Sequence, residues 1–212
     1  MKYAVYAFDF DLTLADASDG IVQCMNYAFG EMGFEPKGRE EIRRTIGIPL
    51  EGAFVILTGV QEPVKGQFRQ LYVQKADKVM TGLTELFPDT ISVLRKIKES
   101  GAKVAIISSK YRYRIEEALC KFDISELVDY IVGTEDVKEY KPSPEGLFVA
   151  ISHFGVQPKE VLYVGDTVID AQAAQNAGTD FAGVTTGTTS YEEFLPYPHV
   201  SITPNLSGII LR

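Results

Sequence analysis

Lys2-Tyr3-Ala4-Val5-Tyr6-Ala7-Phe8-Asp9-Phe10-Asp11-Leu12-Thr13-Leu14 is the stretch on which the fold turns. Lys2 to Phe10 alternates weakly and is rich in aromatic and β-branched residues, which predicts a buried strand. It runs into two carboxylates, Asp9 and Asp11, two residues apart. In extended backbone such residues point to the same side. Left without a counter-ion they repel, and one tends to hold a proton. A divalent cation resolves that conflict, and so does a division of labour between nucleophile and acid. A capping or turn pair of aspartates before a helix is the plainer alternative.

Outward from this strand, further apolar runs lie at Lys103–Ile107, Tyr130–Val132, Val161–Val164 and Phe181–Val184. Between them apolar residues recur at helical spacing. Asp89–Ser100 carries Ile91, Val93, Leu94 and Ile97 and stops at Gly101; Arg112–Phe122 and Pro144–Phe154 are similar, and Val168–Ala177 stops at Gly178. Strand alternating with helix predicts an α/β fold, a Rossmann-like doubly wound parallel sheet covered on both faces.

One stretch departs from that rhythm. From about Ala15 to Met80 the sequence offers helical patterns alone, at Ile21–Met32, Arg39–Thr45, Leu50–Leu57 and Val64–Met80. They predict a small helical bundle inserted after the first strand, because a long irregular excursion is disfavoured in a compact domain. The expected division is a core of residues 1–14 and 82–212 and an insertion of 15–81, hinged near Ala15–Asp19 and Met80–Leu83.

In open α/β sheets ligands gather at the carboxyl ends of the strands. Beyond Asp9 and Asp11, three groups of polar residues fall there. Ile106-Ile107-Ser108-Ser109-Lys110 offers hydroxyls and turn N–H groups that can hold phosphoryl oxygens, although Ser-Ser is also a common turn or N-cap. Lys141 stands in Tyr140-Lys141-Pro142-Ser143-Pro144 at a helix start, where a solvated lysine is the alternative. Gly165-Asp166-Thr167-Val168-Ile169-Asp170 puts Asp166 at a strand end and Asp170 one turn into the next helix. An acid there also stabilises the first helical turn. Hard Mg²⁺ takes carboxylate oxygens and waters in an octahedron, which these aspartates suit.

The composition bounds the partners. Of 212 residues, 45% are hydrophobic and 24% charged, as in an ordinary soluble domain. A formal charge of −8 argues against nucleic acid or an anionic membrane as main partner. A small phosphorylated metabolite remains open, since a metal and a few local cations override the global field. Cys24 and Cys120 are far apart and suggest two free, buried thiols in a reducing cytoplasm. No apolar run approaches the ~18 residues of a membrane span, and the N-terminal stretch lacks a signal-peptide cleavage pattern. The expected location is cytoplasmic.

Taken in order, Asp9-Phe10-Asp11-Leu12-Thr13, Ser108, Lys141 and Gly165-Asp166-Thr167-Val168-Ile169-Asp170 resemble the four motifs of the haloacid dehalogenase-like hydrolase superfamily, in its phosphoglycolate-phosphatase-like branch. The resemblance covers nearly the whole chain, and the insertion resembles that family's small α-helical cap. It implies that Asp9 is a nucleophile and metal ligand, and that Asp11 is the acid and base whose backbone carbonyl also ligates Mg²⁺. It implies phosphoryl binding by Ser108 and Lys141, metal ligation by Asp166, and support from Asp170 directly or through water. Ser109 and Lys110 join the expected phosphate-binding set, with an exposed loop lysine as the alternative for Lys110. The superfamily's dehalogenases lack an aspartate two residues after the nucleophile, so Asp11 favours phosphoryl transfer. Leu12, Ser109 and Thr167 stand where relatives often have glycine, asparagine and serine.

In the insertion, Thr45-Ile46-Gly47-Ile48-Pro49-Leu50 resembles the loop that faces the active site in relatives. Arg43 or Arg44 is a candidate cation for an anionic substrate group, with a solvated helix favoured. Asp16 and Ser18 are expected to cap, and His153 and His199 to be structural or exposed. The implied function is a Mg²⁺-dependent phosphatase for a small phosphomonoester, working as a monomer or homodimer through an aspartyl phosphate. A phosphomutase of the β-phosphoglucomutase type and a non-catalytic binding relative are the alternatives.

Overall fold

The computed structural model describes residues 2–61 and 65–210. Val64, the expected start of the last helix of the insertion, lies outside them. Six parallel strands form the sheet: β1 (Val5–Phe8), β4 (Lys103–Ile107), β5 (Tyr130–Val132), β6 (Val161–Gly165), β7 (Asp180–Val184) and β8 (Ser201–Thr203), in the order β5-β4-β1-β6-β7-β8. β1 is central, pairing Tyr6 with Val104 on one side and with Leu162 on the other. The chain builds outward from β1 through β4 to β5, then crosses back to β6 on the other side. That reversal opens a crevice above β1, where an α/β sheet receives its ligand.

Alternation along β1 divides the core. Tyr6 and Phe8 face one side, joined by Val93, Leu94 and Ile97 of α5 (Thr90–Glu99) and Ile115 and Leu119 of α6 (Arg112–Lys121). Val5 and Ala7 face the other, against Leu147 of α7 (Glu145–Phe154) and Ala171 and Ala174 of α8 (Val168–Ala177). Both faces are thus covered, and the strands are nearly continuous apolar runs as a buried parallel sheet requires.

The insertion carries α1 (Ser18–Glu31), α2 (Arg39–Arg43), α3 (Leu50–Thr58) and α4 (Lys65–Val79). It has its own core, in which Phe29, Phe54 and Phe68 pack with ring centroids 4.7 to 6.2 Å apart. Two chain segments connect it to the sheet. They pair as a short antiparallel ribbon, β2 (Ala15–Asp16) with β3 (Glu85–Leu86). This ribbon and β8 are absent from the expected strands. Two-residue strands are too short to show a period, and Ser201-Ile202-Thr203 carries one aliphatic residue between two hydroxyls. Short helices α9 (Tyr191–Phe194) and α10 (Ser207–Ile210) complete the chain.

Several smaller expectations meet the structure directly. Asp16 Oδ1 accepts from the Ser18 N–H, the first of α1, at 2.8 Å, whereas the buried Ser18 hydroxyl has no partner among the described residues. Cys24 is buried, but Cys120 is exposed, contrary to expectation, because it lies on the outer face of amphipathic α6. His153 stacks on Tyr130 with centroids 3.7 Å apart, and His199 is exposed. Among the described residues no helix is long and apolar enough to cross a membrane.

Candidate active site

β1 delivers Asp9 to the sheet edge, held by its N–H donating to Val164 O at 2.9 Å. The chain then turns sharply, the Leu14 and Ala15 N–H groups both donating to Phe10 O. Leu12 takes a left-handed conformation, φ 63°, which an L side chain rarely adopts. Its side chain is buried in the core of the insertion, so the turn also anchors that bundle.

β4 delivers Ser108, and β6 delivers Asp166, 1% exposed. Thr167 caps α8, and Asp170 closes the capping box. Gly165 makes this approach possible, because a Cβ there would sit 2.5 Å from the Asp170 side chain. Lys141 reaches in from the loop before α7.

These residues converge in one network. Lys141 Nζ donates to Asp9 Oδ1 at 2.9 Å and to Asp170 Oδ1 at 2.6 Å, with the Tyr163 hydroxyl at 3.2 Å. Tyr163 OH lies 2.9 Å from Asp170 Oδ1 and 3.1 Å from Ile107 O. The other Asp170 oxygen accepts from the Thr167 hydroxyl at 2.6 Å and its N–H at 3.1 Å. A carboxylate has about four acceptor sites, and four donors surround Asp170. Asp166 differs: Thr13 Oγ1 donates to Oδ1 at 3.0 Å, and buried Oδ2 has no partner among the described residues.

The electrostatics follow from burial. Burial pushes the Asp9 carboxyl up to about 6, with Lys141 opposing and Asp170 adding to the rise. Burial also holds Asp166 well above the usual carboxylate range, helped by Asp170 and Asp9. Burial alone would lower Lys141, but Asp170 and Asp9 outweigh it and hold the ammonium well above its ordinary value.

Asp9, Asp166 and Asp170 each place a carboxylate oxygen within 4.8 Å of the others. The set fits a divalent cation on three counts. The donors are all oxygen, Asp166 Oδ2 is buried and orphaned, and the carboxylates Asp9, Asp11, Asp166 and Asp170 outnumber the ammonium groups Lys141 and Lys110 by two.

A cavity of about 100 Å³ lies between this edge and the insertion. Asp9, Asp11, Ser108, Ser109 and Lys110 form its floor; Met25, Ile46, Ile48 and Tyr72 form much of its roof. Neither Arg43 nor Arg44 lines it. Ser109 Oγ donates to Gly47 O at 2.9 Å, which ties the floor to the apolar loop anticipated there. Lys110 is no exposed loop lysine: its ammonium lies 2.9 Å from both Asp11 oxygens.

Thr13, Tyr163, Gly187 and Tyr72 carry contacts to which the sequence reading gave no role. Tyr163 left a signal, a lone hydroxyl within the aliphatic run Val161–Val164. Gly187 left almost none, yet a Cβ there would fall 1.9 Å from Asp166 Oδ2.

With this geometry in place, comparison with known proteins decides the lineage. The sequence profile of the haloacid dehalogenase-like hydrolases matches residues 6–184. The chain belongs to the haloacid dehalogenase-like hydrolase family. Within it the chain falls in the phosphoglycolate-phosphatase-like branch. It is 31% identical to a phosphoglycolate phosphatase of Photorhabdus laumondii, over 85% of this chain and 80% of that protein. It is 29% identical to the pyrophosphatase PpaX of Bacillus velezensis, over 84% and 81% of the two chains. The crystal structure of a haloacid dehalogenase-like hydrolase from Bacteroides fragilis matches with a TM-score of 0.96 at 45% identity, covering 99% of this chain and 100% of that one. The helical insertion is this hydrolase's cap.

Proposed function

We propose that this protein is a Mg²⁺-dependent phosphatase that hydrolyses a small phosphomonoester through a phosphorylated Asp9. Hydrolysis of phosphoric monoesters follows from the family and from its phosphatase relatives. One observation carries the finer reading: Asp9, hydrogen-bonded to buried Lys141, and Asp11 face one small cavity beside Ser108.

In the proposed sequence a carboxylate oxygen of Asp9 attacks phosphorus as the bond to the leaving oxygen breaks. Asp11 donates its proton to the departing alkoxide. The resulting Asp11 carboxylate then takes a proton from the water that attacks the acyl phosphate, releasing phosphate and regenerating Asp9. Lys141 offsets charge on Asp9 and the phosphoryl group, and the Ser108 hydroxyl holds a phosphoryl oxygen. Asp9, the Asp11 backbone carbonyl and Asp166 would hold Mg²⁺, which supplies charge neutralisation to the phosphoryl oxygens when bound. Asp170, which accepts from Lys141 and Thr167, positions Lys141, caps α8 and supports the metal site beside Asp9 and Asp166, directly or through water, in this scheme. Ser109, donating to Gly47 O, couples the cap loop to the floor.

The division into a core of 1–14 and 82–212 and a cap of 15–81 belongs to the same reading. It is supported by the separate aromatic core of α1–α4 and by the ribbon β2–β3 at the two crossings. A cytoplasmic location and a monomeric or homodimeric state complete the proposal.

Phosphate release from a panel of small phosphomonoesters, with Mg²⁺ or EDTA, tests the reading in wild type and Asp9→Asn. Mg²⁺-dependent release that vanishes in the variant supports it. No release from any compound contradicts it and turns attention to sugar-phosphate isomerisation.

A further inference from the structure

Part of the contact between cap and core is made by α6, the helix that follows Ser108, Ser109 and Lys110. Arg114, Glu117 and Lys121 recur there at three- and four-residue spacing and so share one side of the helix. Together they grip the chain where it returns from the cap. Lys121 Nζ donates to Thr84 O at 2.6 Å and lies 3.0 Å from Glu85 Oε1. Glu117 Oε2 accepts from the Thr81 hydroxyl at 2.8 Å and from Arg114 Nη1 at 2.9 Å. Arg114 Nη2 donates across to Asp77 Oδ1 in the last turn of α4, and the Tyr113 hydroxyl stands 3.4 Å from the same oxygen. The Arg114 side chain is 6% exposed, whereas those of Asp77 and Glu117 are 54% and 44% exposed.

The seam around this pair is not close-packed. A cavity of about 50 Å³ lies beside Arg114, bounded by Val73, Ala76 and Met80 on one side and by Tyr111 and Tyr113 on the other. Protein interiors leave few voids larger than a water molecule, and the aromatic core of the cap itself lies elsewhere, around Phe29, Phe54 and Phe68. An interface that is loosely packed and joined by polar contacts is one that can part, which is the default for units within a chain.

The structure assigns Arg114 a positioning role: its guanidinium sets the balance between an open and a closed cap, because it accepts closure only while Asp77 is in register. The assignment rests on the division into cap and core proposed above and goes beyond it. Closing the seam buries the guanidinium, and a buried charge is accepted only when paired and hydrogen-bonded. Parting the seam returns Arg114 to water, while Asp77, already half exposed, loses little. Removing Asp77 therefore penalises the closed cap. Removing Arg114 takes away the penalty itself, since an apolar side chain closes on the seam without a partner. Asp77 stands one turn before the expected hinge at Met80–Leu83. A small rotation there swings the far end of the bundle, with the roof residues Ile46 and Ile48, across the active-site cavity.

Spin labels on exposed Cys120 of α6 and on Ile56→Cys of α3, where the native side chain is 62% exposed, report the distance between core and cap. Those distances, and the kinetics of para-nitrophenyl phosphate hydrolysis with Mg²⁺, are compared in wild type, Asp77→Ala, Asp77→Glu, Arg114→Met and Arg114→Met combined with Asp77→Ala. Asp77→Ala is expected to add a second distance population and to raise KM by roughly threefold to tenfold, with kcat undiminished. Asp77→Glu keeps most of the wild-type behaviour. Arg114→Met stays as closed as wild type, and in its background Asp77→Ala changes neither distance nor KM. A pair that serves only to stabilise the fold lowers the melting temperature of Asp77→Ala and leaves distances and KM at their wild-type values. That result overturns the assignment. An equal shift in both backgrounds also overturns it, because Asp77 then acts through another partner. If Arg114→Met does not fold, the contrast between Asp77→Ala and Asp77→Glu decides alone. A wild type that hydrolyses no phosphomonoester contradicts the phosphatase reading instead, and the distances, which need no turnover, still test Arg114.

Discussion

Thr13 Oγ1 donates to one oxygen of Asp166 at 3.0 Å and leaves the other buried without a partner among the described residues. A native fold seldom buries a carboxylate oxygen in this way unless something occupies the position in the working protein. The backbone of Gly187 closes over that oxygen so tightly that a Cβ would lie 1.9 Å away. Gly187→Ala must therefore displace Asp166, the direct ligand in the proposed metal site. Changes around a ligand typically cost about 10–100-fold in metal affinity. Titration of the folded variant with Mg²⁺ by calorimetry should show a loss of that order, with a parallel loss of turnover. Unchanged affinity would place the cation elsewhere.

The elevated Asp9 pKa makes a statement about pH. Burial raises the carboxyl from 3.8 to about 6, so the folded, metal-free protein binds this proton more tightly than the unfolded chain. Stability from that proton is present below the unfolded value and is lost as pH rises from about 4 through about 6. Relative to Asp9→Asn, which cannot ionise, metal-free wild type should lose up to about 3 kcal/mol across this window. Urea melts of both proteins in EDTA measure the difference. Because the cation competes with protons, Mg²⁺ should bind more tightly over the same rise. A gap between the two proteins that grows in favour of wild type would reverse the sign and refute the assignment.

Tyr163 offers a clean deletion. Its hydroxyl sits 3.2 Å from Lys141 Nζ and 2.9 Å from Asp170 Oδ1, so it helps fix where the lysine points. Tyr163→Phe keeps the ring and removes only that oxygen. Stability should fall by about 1 kcal/mol and kcat by roughly tenfold, with KM little changed. Equal activity in the two proteins would show that Asp170 orients Lys141 without help.

How far the sequence discloses such details depends on their range. The central strands are legible because burial on both faces makes them apolar throughout, and α5 because one face repeats at helical spacing. β8, polar at two of its three positions, carries no comparable pattern. At the site, Asp9, Asp11, Ser108 and Asp166 stand out just past strand ends, and Lys141 stands out in the loop before a helix. The contacts that tune them do not, because they join residues remote in sequence. Thr13 meets Asp166 across 153 positions, and Lys110 meets Asp11 across 99. Nothing local to Lys110 distinguishes a buried partner of Asp11 from a solvated loop lysine.

Leu12 combines local strain with long-range packing. A left-handed leucine costs roughly 1–2 kcal/mol, yet its side chain is 1% exposed and packs in the cap core. Removing a buried leucine side chain costs about 2–5 kcal/mol. Leu12→Gly relieves the first and incurs the second, so net destabilisation of up to roughly 4 kcal/mol is expected in denaturant melts. A stabilised variant would mean that backbone strain outweighs cap packing at this turn.

The most direct measurement concerns Asp9 itself. Enzyme mixed rapidly with an aryl phosphate and Mg²⁺, quenched in acid and digested, should carry a phosphoryl group on the peptide containing Asp9. The adduct should be absent with EDTA and in Asp9→Asn, and that variant should not turn over. Steady turnover by Asp9→Asn, or a phosphoryl group on any other residue, would contradict nucleophilic attack by Asp9.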